Sequence, residues 1–135
     1  GVFMSKRIIR FEEGDQIISR GSHEKRMYII LSGLVEISVN DGIKKVILSR
    51  LERNDFFGEI SLFTSTPRTA DAVARGAVKV TYLDTIEELK IFLRKNPGFS
   101  IKMVTVLADR IARTNEILID EMGGTNTASL VKFFW

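Results

Sequence analysis

From Lys6 to Val39 the chain repeats one device: a short run rich in β-branched residues, then a turn residue or two. The runs are RIIRF, QIISR, MYIIL and LVEISV, punctuated by Glu13-Gly14-Asp15, Gly21-Ser22 and Ser32-Gly33. Runs this short, bounded by turn chemistry, read as strands. Asn40-Asp41-Gly42 carries the Asp-Gly signal of a tight hairpin and leads into a further strand from Lys44 to Leu51. Two more strands, Ala72 to Arg75 and Val78 to Leu83, are predicted on either side of Arg75-Gly76. Short, evenly spaced strands predict a sandwich or a jelly-roll barrel rather than an α/β sheet.

After Leu83 the period changes. Thr85 followed by Glu88 has the form of a capping box, and Leu89, Phe92 and Leu93 supply an apolar stripe, so a helix starts there. Asn96-Pro97 ends it and starts a second, because Asn suits the N-cap and Pro the first helical position. The second helix runs to about Met122, where Gly123-Gly124 stops it, and TNTASLVKFFW follows as a polar hinge and an aromatic tail that is expected to be buried or bound to a partner. The 135 residues fit one domain, with a β-roll over about 6–84, helices over about 85–122 and a tail over 123–135.

Composition excludes several functions. The chain has no cysteine, which removes disulfides, iron–sulfur clusters and thiol catalysis, and its one histidine, His23, leaves no basis for a histidine-built metal or haem site. Ser61, His23 and Asp84 lack the surroundings of a nucleophile elbow, so no enzyme activity is expected. Twenty basic and 17 acidic residues are scattered rather than clustered, which gives no nucleic-acid surface within this chain. Neither a long apolar span nor a signal-peptide pattern is present, so no membrane association and a cytoplasmic location are expected.

The stretch FFGEISLF, a polar spacer, then PRTADAVA reads as a pocket for a small anion. Gly58 lets the backbone turn sharply, and Ile60, Leu62 and Phe63 suit one turn of helix whose first N–H groups lack intrahelical partners and favour phosphate. Arg68 adds a planar fork of donors and Thr69 a hydroxyl. Glu59 is an acceptor among donors, suited to ligand hydroxyls. An anion beside a hydroxyl acceptor describes a ribose phosphate.

FGEISLF with PRTADAVA resembles the phosphate-binding cassette of cyclic nucleotide-binding domains, and Phe11, Gly14, Ile17, Gly21, Tyr28, Ile29, Gly33 and Val35 resemble the family's earlier glycine and apolar pattern. The likeness covers roughly residues 8 to 120. It implies a fold that is mainly β with α: a double-stranded β-helix (jelly-roll) barrel with a short cassette helix and two C-terminal helices. It implies that Arg68 holds the cyclic phosphate, Glu59 the ribose 2'-hydroxyl, and Thr69 a phosphate oxygen or the purine. The amides of Gly58, Glu59 and Thr69 take the remaining oxygens, and Ile60 and Ala70 complete the binding set. Asp71 and Ala72 depart from the usual pattern, which keeps open a relative that binds another ligand, such as a cyclic dinucleotide.

On the long helix Met103, Leu107, Arg110, Thr114 and Ile117 share one face, which could lie over the barrel mouth. In activators of the catabolite-activator type the same helix carries polar residues that reach the purine. Thr114 and Asn115 look similar in position; a solvated stripe is the other reading. Ile101, Ala108, Asn115 and Met122 at a, with Val104, Ile111 and Leu118 at d, form a heptad seam that predicts a homodimer; packing on the chain's own barrel is its rival. The expected function is a sensor that binds cyclic AMP or cyclic GMP, with cyclic AMP favoured, needs no cofactor, and signals through its C-terminal helices. The alternative is the ligand-sensing portion of a transcription regulator whose DNA-binding part is absent from this chain.

Overall fold

The computed structural model describes the backbone of residues 7–122 and the side chains of residues 7–116. Two long strands form its spine. β3 (Met27–Asn40) and β6 (Asp71–Leu83) pair antiparallel from Met27 opposite Leu83 to Ser38 opposite Asp71. β1 (Ile9–Phe11) and β2 (Gln16–Ile18) hydrogen-bond to β6, and β4 (Lys45–Leu51) and β5 (Phe56–Phe57) to β3. The sheet runs β1-β6-β3-β4 without closing, a jelly-roll-like β-roll to which helices are added.

The expected break at Ser32-Gly33 and the expected pair of strands around Arg75-Gly76 are each one continuous strand. The glycines bend the ribbon instead of ending it. The ladder shifts register between Ile30 and Ser32 and again between Ser32 and Leu34, while Gly33 sits at φ 96° and Gly76 at φ 92°. A Cβ on Gly33 would lie 2.3 Å from the Ala77 carbonyl oxygen, so no other residue lets β3 cross β6 this closely. The hairpin after β3 takes a four-residue loop, 41–44, in which Asp41 Oδ1 accepts the amides of Ile43 and Lys44 at 2.9 Å each.

Alternation along β3 divides the interior in two. Tyr28 and Ile30 join Ile18, Val35, Ile37, Phe57 and Val80 inside the roll, with Tyr28 stacked on Phe57 at 5.1 Å between ring centroids. Met27 and Ile29 face the other way, into a second core with Phe56, Leu83, Leu89, Phe92 and Met103. That second core is what fixes the helices to the sheet.

The helices start and stop as the caps dictate. α1 (Glu59–Phe63) is a single cassette turn behind Gly58. α2 (Ile86–Lys95) is capped by Thr85, whose Oγ1 accepts the Glu88 amide at 3.1 Å, while Glu88 Oε1 accepts the Asp84 amide at 2.7 Å. α3 (Pro97–Met122) begins at the Asn96-Pro97 step. None of the helices among the described residues is long and apolar enough to cross a membrane.

On α3 two faces separate by exposure. Met103, Arg110 and Thr114 are buried, with Leu107 packed beside them against the second core. Ile101, Val104 and Ile111 are exposed, at 72%, 66% and 49%, and Ala108 and Asn115 share that outer face. The heptad stripe therefore does not pack on the chain's own barrel over its described part. The side chains of Ile117, Leu118 and Met122 and the aromatic tail lie outside the described residues.

Candidate functional site

The cassette forms as a consequence of two glycine-dependent contacts and one long side chain. Gly58, at φ 84°, leads from β5 into α1. A Cβ there would fall 2.8 Å from Arg68 Nη1 and 2.9 Å from the Arg26 carbonyl oxygen, so the bare α-carbon is what leaves space for the guanidinium. Arg68 is 4% exposed. Its Nη1 donates to the Gly58 carbonyl at 2.7 Å, and its Nη2 donates to Glu24 Oε1 at 3.1 Å and to the Arg26 carbonyl. Its Nε is buried with no hydrogen-bond partner, the donor of the fork that the protein leaves free.

Around this guanidinium a small cavity of about 20 Å³ is lined by Gly58, Ile60, Arg68, Thr69 and Ala70, among others. Five of the residues expected at the site thus meet at one place. Glu59 does not line that cavity. Its carboxylate turns to α3, where Arg110 Nη1 donates to Oε1 at 2.9 Å, and its Oε2 is buried without a hydrogen-bond partner. Burial pushes the Glu59 carboxyl above its ordinary value, against the pull of the Arg110 charge, and burial likewise lowers Arg110.

Arg110 also donates to the Phe56 carbonyl at 2.6 Å and lies over the Phe56 ring, 4.7 Å from its centroid. One arginine on α3 therefore grips the chain on both sides of Gly58. It stood in the barrel-facing stripe of the sequence without an assigned role; a lone cation in an apolar helical face was the available signal. Thr114, one turn on, is buried, and its hydroxyl donates to the Arg110 carbonyl at 2.8 Å. Asn115 is exposed, because one helical step rotates it about 100° off the buried face. Neither Thr114 nor Asn115 lines the Arg68 cavity.

Asp71, the unusual acid of the cassette, has a structural task. Its Oδ1 accepts Gln16 Nε2 at 2.9 Å and the Arg20 amide at 2.7 Å, tying the start of β6 to β2. Glu24 was missed in the sequence altogether. It lies in a polar turn 44 residues from Arg68, and nothing local marks it.

A family model for the cyclic nucleotide-binding domain matches residues 8–95. The chain is 33% identical over 114 residues to a CRP-like cAMP-activated global transcriptional regulator of Mycobacterium tuberculosis, covering 83% of this chain and 50% of that protein. It is 35% identical over 130 residues to a cGMP-dependent protein kinase of Plasmodium berghei, covering 91% of this chain and 14% of the kinase. The chain thus spans half or less of the length of these curated relatives. In fold it is similar to the catabolite activator protein of Thermus thermophilus, with a TM-score of 0.70, 24% identity, and 87% of this chain and 55% of that one covered. It is similar also to CooA of Carboxydothermus hydrogenoformans, with a TM-score of 0.69, 21% identity, and 89% of this chain and 51% of that one covered. A family-model match over residues 8–95, together with these relatives, leads to one conclusion: this chain belongs to the cyclic nucleotide-binding domain family.

Proposed function

We propose that the domain is a sensor, not a catalyst, that binds a cyclic mononucleotide at Arg68, with cyclic AMP preferred over cyclic GMP. The observation that carries this reading is the buried, unpartnered Nε of Arg68 beside the side-chain-free Gly58. A buried donor without an acceptor is costly, and a phosphate oxygen relieves it. Glu59 Oε2 is the matching acceptor for a ribose hydroxyl, and Thr69 and the amides of Gly58 and Glu59 complete the phosphate's partners. The preference for cyclic AMP draws on the relative described as cAMP-activated; the cGMP-dependent kinase is the competing precedent.

The event passes to α3 through Glu59. A ribose hydroxyl on that carboxylate changes its bond to Arg110, which holds α3 to Phe56. A cavity of about 20 Å³ has room for one water-sized group. A nucleotide fills several hundred. The cavity is half open to solvent, so the phosphate can seat at Arg68 with the sugar and base beyond it, and the ligand selects whichever arrangement of α1 and α3 gives it more contacts. Thr114, one turn from Arg110 on the buried face, is the α3 residue proposed to meet the base after a shift of α3, while Asn115 faces outward. The exposed stripe of Ile101, Val104, Ala108, Ile111 and Asn115 is the surface for a second copy of this chain, and the domain serves a larger, cytoplasmic regulator.

The experiment is a thermal-shift and calorimetric panel of cyclic AMP, cyclic GMP and a cyclic dinucleotide. Cyclic AMP should stabilise the native chain by roughly 2.7 kcal/mol at about 100 times its Kd. Arg68→Ala should lose about 2–5 kcal/mol of binding, and Arg68→Lys should recover little of it, since a point charge does not reproduce the fork. No shift with either mononucleotide at millimolar concentration overturns the reading. For the dimer, sedimentation of the native chain should give two copies and Ile111→Lys one, while a native monomer at tens of micromolar refutes it.

A further inference from the structure

Arg68 is surrounded by one loop. The Gly21 amide donates to the Arg68 carbonyl at 2.8 Å, the Arg68 amide donates to the Ser22 carbonyl at 2.8 Å, and the guanidinium reaches the Arg26 carbonyl and the Glu24 carboxylate. The backbone acceptors fix the arginine in place. Glu24 differs from them in kind, because it brings a full negative charge. Its Oε1 accepts from Arg68 Nη2 at 3.1 Å and from the Tyr28 hydroxyl at 2.7 Å, and its side chain is 38% exposed. Tyr28 stays a donor, since burial raises its phenol well above the ordinary value.

We propose that Glu24 sets the affinity of the site: it is a built-in counter-ion on Arg68 whose charge opposes every anion that comes to the same guanidinium. This rests on the reading of Arg68 as the anion-binding residue. A phosphate at Nε and a carboxylate at Nη2 lie on one small cation, several ångströms apart. Two like charges at that separation, partly screened by water at the exposed Glu24, weaken binding by roughly threefold to tenfold. Tyr28 moderates the effect, because a hydrogen bond to Oε1 draws some of the charge away from Arg68.

Glu24→Gln isolates the charge, as the amide oxygen still accepts from Nη2 and the Gly58 and Arg26 carbonyls still hold the arginine. Calorimetry of native chain and variant is run with cyclic AMP, cyclic GMP and inorganic phosphate, at low and at high salt. Glu24→Gln should bind the anions about threefold to tenfold more tightly at low salt, with the gain shrinking at high salt. Tyr28→Phe should move the other way, weakening them about twofold, whereas a general loosening of the pocket would move both variants together. Unchanged or weaker binding by Glu24→Gln overturns the proposal, as does a gain indifferent to salt. If neither cyclic nucleotide binds but phosphate binds more tightly to Glu24→Gln, the nucleotide reading falls and the counter-ion stands. If the nucleotides bind native chain and variant equally, the reverse holds.

Discussion

Glu36 and Glu59 are both buried carboxylates, with side chains 6% and 2% exposed, yet their surroundings are opposite. Glu36, on the outer side of β3, is met by Lys45 Nζ at 2.5 Å, Arg75 Nη2 at 3.2 Å and Arg50 Nε at 3.9 Å. The hydrogen bonds from Lys45 and Arg75 hold its carboxyl below the ordinary value. Glu59, inside the cassette, has one cation and one orphaned oxygen, and burial raises it. A carboxylate with a structural task is given more partners than it needs. Glu59 has fewer, and under the proposed function a ligand hydroxyl fills that deficit.

The largest test of this contrast is Arg110→Met. It leaves Glu59 buried and alone and should destabilise the fold by about 3–5 kcal/mol near neutral pH in denaturant titrations. The pH dependence carries the sign. A carboxyl raised in the folded state binds its proton more tightly there than when unfolded, so stability falls as pH rises past the unfolded value and returns as pH falls. Arg110→Met should therefore recover toward the native chain at acid pH. Replacing both partners, Glu59→Met with Arg110→Met, should be near neutral or stabilising by about 1–4 kcal/mol, and should weaken nucleotide binding through the lost ribose contact. A double variant as unstable as the single one breaks the contrast.

Glu36→Gln is the smaller effect. Its cations are one-third exposed or more, so the loss should be about 1 kcal/mol, with nucleotide binding untouched. Here the sign is reversed. A lowered carboxyl contributes stability above its unfolded value, near 4.5, and loses it as pH falls through the folded one. The gap between native chain and Glu36→Gln should close below that pH because the native chain loses stability there, whereas the Arg110→Met gap closes because the variant gains it. An Arg110→Met variant that gains no stability on acidification breaks the contrast.

Much of this was legible in the chain because it is written locally. The Thr85–Glu88 box, the Asn96-Pro97 step and the Gly58 turn each depend on neighbours within a few residues, and each was found in place. Gly33 and Gly76 were read as turns because a glycine that bends a strand and one that ends it look alike until the pairing partner is known. Arg110 was visible as a misfit on the apolar face of α3, though its role depends on a residue 51 positions away. Glu24 had no local mark at all: its meaning comes only from the fold that brings its turn to Arg68.

The narrowness of the Arg68 cavity has a kinetic side. If nucleotide entry waits on the proposed rearrangement of α1 and α3, it is paced by a motion of a kind that in proteins falls in the microsecond-to-millisecond range. The observed association rate then levels off as nucleotide concentration rises, at the rate of opening, instead of climbing toward the diffusion limit. Under the proposed function, a sensor of this kind passes over surges briefer than that motion and answers to the level that persists.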